Sequence, residues 1–293
     1  MQPHPRIAVC SWSLRPESPR ALIDRLRSLG VSRVQVALVP CVVDPVWRDG
    51  ISALRSEGIE IVSGMLALAG EDYTTLQTIA ATGGVRSDAH WCANLDRALQ
   101  VAALAEHHQI SLVTFHGGFL PHDESDPLRR TMLERIGLLA DALAHHGVAC
   151  ALETGQESAH TLIAALEALA PHDVGVNFDP ANMVLYGMGD PLDAAKALAP
   201  WIRQVHIKDA QPTERAGTWG RDVPVGEGVV PWADFLRVVA PLRWRGQPVR
   251  LAIERESGRC RDADIAKALC MLEAARSTLD EGNADLPLLR SES

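Results

Sequence analysis

A chain of 293 residues with 47% hydrophobic and 22% charged side chains can bury a sizeable core, as two ordinary domains or as one large one. Its formal net charge of −9 argues against sequence-independent nucleic-acid binding, which depends on Lys and Arg neutralising phosphates. No run approaches the roughly 18 apolar residues of a membrane span, and the N-terminal M-Q-P-H-P-R-I-A-V-C lacks the basic-then-apolar pattern of a secretory signal. A cytoplasmic protein with neither nucleic-acid nor membrane partner is therefore expected. Cys10, Cys41, Cys92, Cys150, Cys260 and Cys270 form no C-x-x-C pair and several lie in apolar runs, so they read as reduced core residues.

Short β-branched or apolar runs recur along the chain, each followed by a helical pattern. The predicted strands are R-I-A-V-C-S-W (6–12), R-V-Q-V-A-L (33–38), I-E-I-V-S-G-M-L (59–66) and I-S-L-V-T-F-H (110–116). The second half adds G-V-A-C-A-L-E-T (147–154), V-G-V-N-F-D (174–179), I-R-Q-V-H-I (202–207) and V-R-L-A-I-E-R (249–255). Amphipathic stretches lie between them, opened by S-P or D-P pairs and closed by Gly after polar and basic residues. Two connections are long, 67–92 and 208–231, and both follow strands.

Apolar strands alternating with helices imply a parallel sheet covered by helices. Eight such repeats, with no dinucleotide-type Gly-rich turn after the first strand, favour an α/β fold closed as a (β/α)8 TIM barrel over an open doubly wound sheet. With no linker in view, one domain over residues 1–293 is expected. In a barrel both long connections sit on the C-terminal face, where active sites are built.

The strand ends carry a pattern. The fourth ends in His116, the fifth in Glu153 and the sixth in Asp179; the seventh carries His206 and the eighth Glu254. Taken singly, each has a plain alternative: Asp179 before Pro180 is a natural helix cap, a lone Glu a solvated rim residue, a lone His a core residue. Jointly, Glu153, Asp179, His206 and Glu254 on rigid strands make a site for one divalent cation. Three carboxylates gathered without a cation repel one another, and a metal resolves that conflict. His116 is left open between a ligand, a substrate contact, a supporting donor and a structural residue.

The stretches A-L-E-T-G, N-F-D-P-A-N, Q-V-H-I-K-D, V-P-V-G-E-G-V-V-P-W (223–232) and L-A-I-E-R-E resemble the xylose-isomerase-like TIM barrels. That broad group of sugar-phosphate isomerases and epimerases includes tagatose and psicose 3-epimerases, hydroxypyruvate isomerase, inosose-processing enzymes and endonuclease IV. The resemblance implies that Glu153, Asp179, His206 and Glu254 bind the metal, with Glu153 and Glu254 also acting as acid and base on opposite faces of a sugar or polyol. It implies an isomerase or epimerase of carbohydrate metabolism working through a metal-stabilised enediolate. Mn²⁺ is the favoured ion, while Mg²⁺, Co²⁺ and Zn²⁺ also suit a mixed oxygen and nitrogen ligand set. A homo-oligomer is left open.

Departures from the group narrow the reading. Endonuclease IV needs extra histidines, and Met65, Asn182 and Gly220-Arg221-Asp222 stand at the corresponding places. Asn182 also replaces the His that contacts substrate in ketose 3-epimerases; Asn hydrogen-bonds a hydroxyl but does not titrate near neutrality. Lys208, two residues after His206, points to the same side of the strand. It either faces the mouth as a substrate-binding group or pairs with Asp209 on the surface. Trp12, Trp219 and Arg221 are further candidates for lining a sugar pocket, with simple packing as the alternative for the tryptophans. A lyase or dehydratase acting on a keto-sugar or keto-inositol is the main alternative activity, with His116 or Lys208 as the acid. A non-catalytic barrel has no evident need for carboxylates on both faces.

Overall fold

In the computed structural model, which describes residues 3–281 apart from Ala216, eight parallel strands close into a barrel. They are β1 (Ile7–Cys10), β2 (Arg33–Ala37), β3 (Glu60–Met65), β4 (Leu112–Phe115), β5 (Ala149–Glu153), β6 (Val174–Phe178), β7 (Ile202–Ile207) and β8 (Arg250–Ile253). β8 pairs with β1 through Ile7–Leu251 and with β7 through Ala252–His206, which closes the ring. Each observed strand falls inside its expected run, trimmed by up to three residues where the chain leaves the ladder. Residues 1–2, 216 and 282–293 of the expected domain lie outside the described residues.

Helices cover the outside. Pro19–Ser28, Pro127–His145, Pro180–Tyr186 and Pro191–Leu198 each begin on Pro behind a capping Ser or Asp, as the S-P and D-P pairs imply. Their apolar faces pack on the outer strand residues, for example Val34, Val113, Phe178, Val205 and Leu251, in one continuous core. Of the six cysteines, Cys10, Cys41 and Cys150 are buried, whereas Cys92, Cys260 and Cys270 are exposed. The last two flank or ride the outer side of helix Arg261–Ala274, so the core reading holds for three and is corrected for the others.

Inside the barrel the packing is polar as well as apolar. Gln35 donates to Thr114 Oγ1 (2.9 Å), Ser63 donates to Gln204 Oε1 (2.6 Å), and Gln204 donates to Asn177 Oδ1 (3.2 Å). All five side chains are fully buried, and each finds a partner, as burial of polar groups requires. This layer supports the C-terminal mouth.

Both long connections lie at that mouth. The first holds helix Leu76–Thr82, opened by a capping box in which Thr75 and Thr78 exchange side-chain and backbone hydrogen bonds. The second forms a short antiparallel ribbon, Asp209–Gln211 against Arg221–Val223. Asp209 anchors the rest of this connection: its two oxygens accept from the backbone N–H of Ala210, Gly226, Gly228 and Val230 and from Trp232 Nε1, at 2.8 to 3.2 Å. The V-G-E-G-V-V-P-W segment is thus a turn wrapped on a buried carboxylate. Among the described residues no helix is long and apolar enough to cross a membrane.

Candidate metal centre

Glu153 is the last residue of β5, Asp179 and Glu254 follow β6 and β8 directly, and His206 is the penultimate residue of β7. Strand geometry turns all four side chains into the mouth, where each offers one ligand atom and these atoms lie within 4.8 Å of one another. All four residues are at most 4% exposed. His206 Nδ1 lies 3.5 Å from Glu153 Oε1, 3.7 Å from Asp179 Oδ2 and 3.5 Å from Glu254 Oε2.

Each residue divides its atoms between the scaffold and the cluster. Asp179 Oδ1 accepts from the backbone N–H of Ala181 (2.8 Å) and Asn182 (3.0 Å), capping helix Pro180–Tyr186, while Oδ2 has no hydrogen-bond partner. Glu153 Oε1 accepts from Asn182 Nδ2 (2.9 Å) and Glu254 Oε1 from the Trp12 indole N–H (2.5 Å), leaving Oε2 of each without a hydrogen bond. His206 Nε2 lies 2.8 Å from Gln35 Oε1 and 3.0 Å from Asn177 Nδ2, so its scaffold contacts are all on that nitrogen and Nδ1 has no hydrogen bond. Asp179 Oδ2 and His206 Nδ1 are buried without a hydrogen bond and face the carboxylates of Glu153 and Glu254, an arrangement that fits a cation because unpaired polar groups in a protein interior are costly.

Charge leads to the same conclusion. Lys208 Nζ lies 2.9 Å from Glu254 Oε2 and 3.6 Å from Asp179 Oδ2, with its side chain 2% exposed. Glu153, Asp179 and Glu254 outnumber this one ammonium, which Glu256 also engages, so the cluster keeps an excess of carboxylates that a divalent cation would offset. Burial pushes the Asp179 carboxyl above the usual carboxylate range despite Lys208. Burial would likewise raise Glu254, but Lys208 and His206 outweigh it and hold that carboxyl well below the ordinary range. His206 is opposed by burial, yet Cys10, Glu153 and Glu254 together draw it well above the usual imidazole range.

Asn182 Oδ1 accepts from Lys208 Nζ (3.1 Å), so this one amide links Glu153 to Lys208. His116 follows β4, with Nε2 3.8 Å from Glu153 Oε2 and Nδ1 buried without a partner. Arg221 lines the cavity beside the cluster but its guanidinium is engaged by Gln211 Oε1. Trp12 packs on His206 with ring centroids 6.1 Å apart. The surface alternative for Lys208 does not hold, since Asp209 turns away to anchor its own loop. Met65 accepts from Thr114 Oγ1 and Asp222 binds Arg255 and the N–H groups of Glu256 and Ser257, so neither offers a further ligand at the cluster.

Sequence reasoning missed Glu256, which pairs with Lys208 from the end of the adjacent strand. The signal was present, because Glu256 stands two residues after Glu254 as Lys208 stands two after His206. It also missed Tyr73 and Tyr186, which line the cavity of about 390 Å³ together with His116, Glu153, Asn182 and Trp219.

A closed parallel barrel whose strand ends gather Glu, Asp, His and Glu defines a barrel with a candidate metal centre at its mouth. The sequence profile of the xylose isomerase-like TIM barrels matches residues 23–275, and the chain belongs to that family. It is 35% identical over 78 residues to the uncharacterized protein YihM of Escherichia coli (strain K12), a match spanning 26% of this chain and 24% of that protein. A crystal structure of a xylose isomerase domain protein from Planctomyces limnophilus superposes with a TM-score of 0.81 at 29% identity, covering 96% of this chain and 100% of the other. The probable 3-DHS dehydratase AsbF of Bacillus anthracis (TM-score 0.70, 16% identity, 92% and 98% covered) shares the fold. So does an L-ribulose 3-epimerase (0.69, 15%, 100% of each chain).

Proposed function

We propose that the chain is a divalent-metal-dependent sugar or polyol isomerase or epimerase that moves a proton between or across carbon atoms. The observation that carries this reading is the convergence of Glu153, Asp179, His206 and Glu254, all buried, with one ligand atom of each within 4.8 Å of the others. A cation held there supplies Lewis acidity, polarising a carbonyl and acidifying the neighbouring C–H.

The chain's own groups then divide the work. In the ring of strands β5 and β8 are separated by β6 and β7, so Glu153 and Glu254 approach from opposite sides of the Asp179–His206 pair. One carboxylate removes the proton and the other returns it, which inverts a carbon when return is to the opposite face. Asn182 and Trp12 fix the two carboxylates by donating to their Oε1 atoms. Lys208 sets positive charge beside Glu254, where an oxygen gains negative charge as the proton leaves.

A lyase or dehydratase on a keto-sugar or keto-inositol is the second reading. It is favoured by His116, a third group at the cavity beside Glu153, with a buried unpartnered nitrogen. The same proton removal would be followed by loss of a hydroxyl or glycosidic group that His116 or Lys208 protonates. Deuterium incorporation from D₂O over ketoses, keto-inositols and 3-keto-glycosides separates the two. The isomerase reading expects C–D product of unchanged composition; elimination products would support the lyase, and no exchange with any substrate would remove both.

A further inference from the structure

The cavity beside the Glu–Asp–His–Glu cluster has a mixed lining. His116, Glu153, Asn182, Arg221, Asp222 and Glu256 give it polar groups, while Tyr73, Tyr186 and Trp219 come together as an aromatic surface. Tyr73 and Trp219 come from the two long connections and lie with ring planes 21° apart and centroids 6.5 Å apart. Tyr186, at the end of helix Pro180–Tyr186, meets Trp219 at 5.4 Å. Tyr73 is 46% exposed, among the few large apolar side chains of the described residues left so open. Tyr73 meets His116 edge-on at 6.4 Å and stacks on Trp219, and its remaining exposed face borders the cavity.

The wall is built in advance. Gln77 Nε2 donates to Gly217 O (3.2 Å), and Gly220 N donates to Leu185 O (3.0 Å), so the loop carrying Trp219 is fastened on both sides. A Cβ at Gly220 would come within 2.5 Å of Gln211 O, so the close approach that seats Trp219 needs glycine.

We propose that the site takes its substrate as a closed ring that carries its ketone within the ring, a keto-inositol or a 3-keto-pyranoside, and that Trp219, with Tyr73 and Tyr186, is the surface that selects the ring. This deepens the reading of the site as one for sugars or polyols. A ring is an amphipathic disc: its hydroxyls point outward around the rim and its C–H bonds form flat apolar faces. Placed in this cavity, the rim meets the polar groups while one face covers the aromatic wall and releases water from it. An open-chain sugar carries hydroxyls all around its length and offers no such face. The wall therefore gains little from it.

The matched probes are myo-inositol and sorbitol, which share carbon and hydroxyl counts and differ in ring closure, with methyl α-D-glucopyranoside as a locked pyranose. Binding to the full chain is measured by calorimetry, and the bound face by saturation-transfer NMR. The two rings should bind at least about tenfold more tightly than sorbitol, with strongest saturation on their C–H protons. Trp219→Ala should reduce that preference to about twofold or less, and Trp219→Phe should keep most of it. Thermal melts of both variants check folding, and Tyr73→Ala gives a second removal of the wall should Trp219→Ala not fold. Equal affinity for sorbitol, an undiminished preference in the wall variants, or no binding of any probe would overturn the proposal. Binding is read without turnover, so these outcomes are independent of whether a proton is transferred.

Discussion

Asn182 donates through Nδ2 to Glu153 Oε1 at 2.9 Å and accepts from Lys208 Nζ at 3.1 Å through its other amide atom. One neutral side chain thus orients a carboxylate facing the cluster and an ammonium beside it. A titratable residue here would have to hold one protonation state to satisfy both, whereas an amide does so at any pH. Asn182→Ala should weaken binding of Mn²⁺ about 10–100-fold, the usual cost of losing a partner behind a metal ligand. Titration with Mn²⁺ followed calorimetrically checks this, and unchanged affinity would remove Asn182 from that role.

Lys208 is buried against Glu254, Glu256 and Asp179. Lys208→Met keeps the length of the side chain and deletes the charge, leaving the carboxylates uncompensated at a cost of about 3–5 kcal/mol. Added divalent cation should return part of that loss. Urea unfolding with and without Mn²⁺ tests it: the variant should gain more from the metal than the parent chain does.

Glu157 sits in the loop after β5, 5% exposed, and burial pushes its carboxyl up to about 8. In the unfolded chain it ionises near the ordinary 4.5, so between these values the unfolded state binds fewer protons than the folded one. Stability from this group is complete below pH 4.5, falls as pH rises towards 8 and changes no further above it. Glu157→Gln should match the parent near pH 4.5 and exceed it at pH 8 by roughly 4 kcal/mol at most. Chemical unfolding across that range reads the difference; parallel curves would show that Glu157 is ionised in the fold.

Asp209 accepts from four backbone N–H groups and from Trp232. Asp209→Ala leaves them without an acceptor, at a cost expected to exceed about 3 kcal/mol. Because the same loop carries Trp219, the variant should also lose protection of that segment from proteolysis while the barrel remains folded. Protection equal to that of the parent would mean the loop is held elsewhere.

The strands and their terminal residues were legible because both follow local rules. Apolar runs of strand length reveal the barrel, and a polar residue breaking such a run at its end reveals a side chain at the mouth. Asp179 shows why local reading stalls between two answers. The cap is observed through Oδ1, while Oδ2 of the same carboxylate faces His206 in the cluster. Lys208 was ambiguous because its partners are fixed by the neighbouring strand β8 and the helix after β6, which no spacing within its own strand records. The aromatic wall was least legible of all. Tyr73 and Trp219 lie in separate non-periodic connections and become neighbours only when both loops fold over the mouth.

Four strand ends are proposed to form one metal site. Protein loaded with Mn²⁺, freed of excess ion by gel filtration and assayed for metal, tests it directly. About one ion per chain is expected, falling to near none in Asp179→Asn, a variant that keeps the Oδ1 cap of helix Pro180–Tyr186 and alters the Oδ2 that faces the cluster. A parent chain that retains no ion, or an Asp179→Asn variant that retains as much as the parent, would contradict it.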